Sequence, residues 1–200
     1  DSLNLIAFFG CNGITDLAPV ADITGLKRLH FQECKGLSDF RPLTEMKWVN
    51  ELTIDNCGTL TDLSFLSCMD SLVKLRINGS DIPVLPSMDS LPALKDVRIK
   101  NFSALVDLSP LSTMPGLEEL SLFRCDQLDD LASLVRSESL KTLDISCCDG
   151  IVDFTPLGGI QSLRKLTIEG CDGLTYDQVE AIRARLPECD IQTDCDKEPE

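Results

Sequence analysis

Residues 117–139 read LEELSLFRCDQLDDLASLVRSES, and residues 140–162 read LKTLDISCCDGIVDFTPLGGIQS. Leu117, Leu120, Leu122 and Cys125 of the first stretch return as Leu140, Leu143, Ile145 and Cys148 of the second. Working outward, the pattern L-x-x-L-x-L-x-x-C recurs in eight units that open at Leu3, Leu26, Val49, Leu72, Leu94, Leu117, Leu140 and Leu163. Successive units are 23 residues apart, except for one step of 22 between Leu72 and Leu94. A fixed period of this length marks a repeat architecture.

Physical chemistry explains the letters. The L-x-L alternation has period two, so each unit supplies a short strand with one buried face. One such strand cannot bury its apolar side alone. Stacking it parallel to its neighbours pairs the backbone groups and closes a common core. In the second half of the units, Asp16, Asp39, Asp62, Asp107, Asp130 and Asp153 each fall five residues after the ladder position, the slot that ends the motif and mostly holds Cys. Pro follows three residues later in four of them (Pro19, Pro42, Pro110, Pro156). An Asp placed there caps a short helix or 3-10 turn, and Pro is tolerated in a first turn. The row of aspartates is therefore read as scaffold, not as a metal or catalytic site.

These motifs resemble the leucine-rich-repeat family over about residues 3–191, and the D-L-x-P-L segment resembles the short bacterial type typified by the internalins. Cys at the strand's end departs from the Asn of that type. The resemblance implies an α/β solenoid: a right-handed superhelix with a parallel concave sheet and short helical or 3-10 turns on the convex side. It also makes the concave sheet the expected binding surface, in a bacterial, secreted or cell-surface setting.

Six of the ten cysteines share the ladder position: Cys11, Cys34, Cys57, Cys125, Cys148 and Cys171. Ser80 and Phe102 fill that slot in units four and five. A small, weakly polar thiol suits a turn interior, so a ladder of buried reduced thiols is expected. There is no Cys-x-x-Cys pair and His30 is the only histidine, which argues against zinc. Cys189 and Cys195 are the one pair spaced for a terminal disulfide, and Cys147 is the candidate exposed thiol.

The eight repeats occupy residues 1–173. In residues 174–191, Thr175 with Gln178 forms a capping-box pattern ahead of an apolar stripe, Val179, Ile182 and Leu186. That predicts a helix closing the last repeat, then a short strand at 189–191. Residues 192–200 read as a disordered acidic tail. The first unit arrives without a polar cap, so upstream repeats or a further domain before Asp1, or another chain covering this edge, are expected.

Composition bounds the function. The formal net charge of −15 argues against a nucleic-acid or anionic-lipid binder. No apolar run reaches the roughly 20 residues of a membrane span. No glycine-rich phosphate loop is present, no nucleophile stands beside His30, and no cofactor or metal is implied. Five outward positions per unit hold 11 of the 18 Lys and Arg residues but only eight of the 33 acids, so this face carries +3 on an acidic protein. Lys74, Arg76, Lys95, Arg98 and Lys100 are expected on two adjacent strands, with Phe123 and His30 as further contacts; the alternative is that lysines paired with Asp or Glu on neighbouring strands simply solvate the sheet. The expectation is a non-enzymatic module that binds a protein, with an acidic segment over that cluster. The alternative is a spacer or targeting arm of a larger surface protein or enzyme.

Overall fold

The computed structural model describes residues 3–195. Nine strands form one open, all-parallel sheet in chain order. They are β1 (Leu5–Phe9), β2 (Arg28–Gln32), β3 (Glu51–Asp55), β4 (Lys74–Ser80), β5 (Asp96–Phe102), β6 (Glu119–Phe123), β7 (Thr142–Ser146), β8 (Lys165–Glu169) and β9 (Asp190–Thr193). Their register follows the repeat one to one: Leu29 sits beside Leu52, Leu52 beside Leu75, and Leu75 beside Val97. From β2 to β8 the alternating apolar residues point inward and are buried, those of the end strands β1 and β9 (Ile6, Phe8, Ile191) are partly buried, and the residues between them line the other face.

The return path carries α1 (Ala18–Ala21), α2 (Ser109–Ser112) and four 3-10 turns, at Arg41–Glu45, Ser64–Cys68, Ala132–Arg136 and Thr155–Gly159. Each follows one of the six aspartates. Every one of those carboxylates accepts the backbone N–H two residues on, from Asp16 with Ala18 at 2.8 Å to Asp153 with Thr155 at 2.9 Å. The aspartates thus satisfy the first free N–H of each turn, as their position predicted.

Unit four is the exception. It is one residue short, contains Pro83 and Pro86, and carries no helical turn; instead Val84 bridges Asp107 of the next unit. The pairing of β4 with β5 extends to Ser80 and Phe102. Ser80 takes over the ladder slot by donating to the Leu60 carbonyl at 2.9 Å.

The residue before each ladder position lies in the left-handed region in all eight units, with φ between 52 and 85°. Glycine or asparagine fills five of these slots, but Glu33, Arg124 and Cys147 fill the others, where a side chain costs on the order of 1 kcal/mol. This conformation swings the ladder side chain into the turn. There the thiols of Cys34 and Cys57 donate to carbonyls of their own and the preceding unit.

At the far end α3 (Tyr176–Arg185) covers the last repeat with Val179, Ile182 and Leu186, all buried. Half of the expected capping box forms. Thr175 Oγ1 accepts from Gln178 N at 3.4 Å, but the Gln178 side chain turns to the neighbouring unit. It accepts from Phe154 N and donates to the Val152 carbonyl, both at 2.9 Å, which ties the helix to the seventh repeat. β9 runs to Thr193, past the expected end of order at 191, and Asp194 accepts from Gly170 N at 2.7 Å. The remainder of the expected tail, 196–200, lies outside the described residues. Cys189 and Cys195 are both free thiols, with separate carbonyl partners.

Stacking is close enough to exclude a methyl group at one repeated position. A Cβ on Gly36 would collide with the Asn12 carbonyl oxygen, whereas one on Gly13, at the same position of the first unit, would meet nothing. Gly36→Ala is therefore expected to cost about 2 kcal/mol or more and Gly13→Ala less than about 0.5 kcal/mol in urea denaturation. Equal losses would refute this reading of the stacking.

Candidate functional site

The outward residues form three rows across the sheet. The central row runs Ala7, His30, Thr53, Arg76, Arg98, Ser121, Asp144, Thr167 and Gln192. Arg76 and Arg98 are thus direct neighbours, an arrangement that repels unless an anion intervenes. Asp96 is that anion. Its side chain is only 8% exposed, and it lies 3.1 Å from Arg98 Nε and 3.7 Å from Arg76 Nη2. Glu51 holds Arg76 from the other side, accepting from Nη1 at 3.1 Å.

The seven residues singled out from sequence separate accordingly. Arg76, Arg98 and Lys100 line one shallow depression with Thr53, Asp55 and Asn78. Phe123 is its neighbour, with the Lys100 ammonium 5.8 Å and the Arg124 guanidinium 5.2 Å from its ring centre, both within cation–π reach. Lys74 is exposed on the row below and forms no ion pair among the described residues. Lys95 stands off the face, at the strand's N-terminal edge, where it and Lys141 grip Glu118 at 2.9 and 2.7 Å. His30 lies three strands from Arg98 on the same row, 3.5 Å from the Glu51 carboxylate.

The charge count alone leaves open which groups touch, and the structure brings several of them together. Arg76, Arg98 and Lys95 are already matched by carboxylates of their own or a neighbouring unit, so the surface is less positive than its lysines and arginines suggest. Glu51 and Asp96 of the lower row meet the arginines of the central row and not their row neighbours Arg28 and Lys74. The exposed aromatic Phe9 stands apart, at the first strand.

The thiol ladder carries shifts of opposite sign, for contact with Cys148 lowers the pKa of Cys125 while the next two rungs are raised. Its cysteines are all free, and Cys125 N and Cys148 N donate to the sulfur of the next rung at 3.5 and 3.4 Å. Contact with Cys125, together with burial, raises the pKa of Cys148, and burial pushes Cys171 up to about 11. Such thiols stay protonated and are poor nucleophiles. Among the described residues no cluster of three His, Cys, Asp or Glu is arranged to hold a metal, and no helix is long and apolar enough to cross a membrane.

No protein-family model matches the sequence, and no curated protein matches it. Solved structures do. An internalin C2 from Listeria monocytogenes superposes with a TM-score of 0.72 at 18% identity, over 94% of this chain and 80% of that one. An internalin F from the same organism gives a TM-score of 0.60 at 20% identity, over 92% of this chain and 65% of that one. The chain is a leucine-rich-repeat solenoid. A third structure, the functional domain of InlJ from L. monocytogenes, includes a cysteine ladder. It gives a TM-score of 0.58 at 18% identity, over 90% of the solenoid and 42% of that chain. At these identities the likeness is one of fold.

The paired lysines have a consequence for pH. Hydrogen bonds from Lys141 and Lys95 hold the Glu118 carboxyl at about 2, below its ordinary 4.5. A depressed carboxylate stabilises the fold fully above its unfolded value and loses that contribution as pH falls through the folded one. The stability difference between wild type and Glu118→Gln is therefore expected to vanish between about pH 4.5 and 2. A difference that stays constant down to acid pH would contradict the pairing.

Proposed function

We propose that the solenoid is a non-catalytic protein-recognition module that docks its partner on the concave face, centred on β4, β5 and β6. The observation that carries this reading is the depression lined by Arg76, Arg98 and Lys100. Two guanidiniums are held in place there by the buried Asp96, and an aromatic side chain, Phe123, stands at the rim. Arginines and aromatics of this kind dominate binding energy at interfaces, and prior ordering reduces what they lose on docking. Lys100 and Lys74 form no ion pair among the described residues and are free to meet an acidic segment of the partner. Lys95 and His30 are peripheral to that contact. A secreted or cell-surface setting accompanies this reading, suggested by the repeat type.

The test is affinity capture from extracts with wild-type protein and with the triple variant Arg76→Ala, Arg98→Ala, Lys100→Ala, quantified by mass spectrometry. At least one protein retained by wild type is expected to be lost from the variant, with an affinity drop of roughly a hundredfold for two or more anchor residues. Identical retention by the two proteins would overturn the assignment.

A further inference from the structure

The two ends of the sheet are finished differently. At the far end α3 covers the last coil, and β9 carries Asp190 and Gln192, with Asp194 just beyond it. Charged and polar edges of this kind discourage a further strand. At the near end β1 is the edge, and among the described residues no element covers it. It has neither charge nor proline. Residues 2–15, SLNLIAFFGCNGIT, are the longest uncharged run in a chain whose residues are 26% charged.

β1 is also apolar on both faces. Ile6 and Phe8 point to the core yet are only partly buried, as are Ile14 and Ile23 of the same coil. Phe8 ends a run of packed rings that passes through Phe31 and Phe40 to Phe65, so one side of its ring has no aromatic neighbour. The outward side of β1 holds Leu5, Ala7 and Phe9, with Phe9 66% exposed, whereas every other strand places charged or polar side chains there. A strand apolar on both sides has the pattern of one covered on both sides.

The backbone of β1 is half used. The Asn4 carbonyl accepts from Arg28 N and Gly10 N donates to the Gln32 carbonyl, both at 2.9 Å, so the even-numbered residues pair with β2. The N–H and C=O groups of Leu5, Ala7 and Phe9 therefore point to the open side. About a two-fold axis at Ala7 this strand complements itself in antiparallel pairing. Leu5 exchanges backbone hydrogen bonds with Phe9 of the second copy, and Ala7 with its own counterpart. Leu5 then packs on Phe9 across the outward face and Ile6 on Phe8 across the core face, with the small Ala7 pair at the axis.

We infer that β1 is a dimerisation edge, on which a second copy of this chain pairs antiparallel about Ala7 and joins two sheets into one. Charge favours this edge over the rest of the surface. Two chains of formal charge −15 repel, and the uncharged run is where they approach with least repulsion. The contact uses the same patch on both copies, so association stops at the dimer. It leaves Arg76, Arg98 and Lys100 open in each copy and stands whether or not the concave face binds as proposed. The two concave faces look the same way, so a partner with two sites is held by both.

Sedimentation velocity of the whole 200-residue chain tests this. A reversible monomer–dimer equilibrium is expected, with a dissociation constant on the order of 10 μM for a contact of one strand and a few side chains. Phe9→Lys is expected to weaken it by about tenfold or more. Val152→Lys adds the same charge at a residue that is 67% exposed and off the sheet, and is expected to change it by less than about twofold. Hydrogen exchange gives a readout that misfolding does not imitate. The amides of Leu5, Ala7 and Phe9 are expected to gain protection as concentration rises, while those of Ile6 and Phe8 stay protected throughout. A monomer at every concentration up to about 100 μM, equal weakening by the two lysines, or no alternation between the amides overturns the inference.

Discussion

Parallel backbone pairing between successive turns, in one-to-one register from Leu5 with Arg28 to Ile168 with Thr193, is the constraint on which everything else depends. A strand of five residues has no stability of its own; it exists because the turns on either side satisfy its N–H and C=O groups and cover its leucines. Register follows because a slip of one residue would turn the buried Leu and Ile positions out to water. The aspartate caps, the left-handed residue before each ladder position and the close glycine contacts all serve to return the chain to the same height after each circuit.

That constraint divides the labour between residues. Inward positions have almost no freedom and are apolar throughout. Outward positions are fixed in space by the same register yet unconstrained in chemistry, so they can hold Arg76 beside Arg98 provided Asp96 lies between them. Exposed pairs such as Lys95 with Glu118 contribute little to stability. Their larger effect is to lower the net positive charge that β3 to β6 present, although Asp55 on β3 meets only the neutral Asn78.

Much of the fold was legible in the sequence because it rests on period. The leucine spacing placed every strand from β1 to β8, and the spacing of the aspartates placed all six capped turns. The outward rows could be written down from the same register, which is why Arg76, Arg98 and Lys100 were found together. Side-chain geometry was not legible. Glu33, Arg124 and Cys147 adopt left-handed backbone with no local glycine or asparagine to announce it. The Gln178 clamp on unit seven depends on where α3 lies, and the ordering of Asp194 depends on Gly170 across the sheet. Cation pairing was hidden for the same reason: a count of charges on a face does not say which of them touch.

Unit four is where continuity of the array is most in question, since it lacks a helical turn and interrupts the thiol ladder, yet β4 and β5 share the longest run of pairing in the sheet. Native-state hydrogen exchange of the strand amides tests this directly. Strands β3 to β7 are predicted to open together, with one free energy equal to that of global unfolding. Separate opening of β4 and β5 at a free energy lower by about 2 kcal/mol or more would contradict the account of a single continuous array.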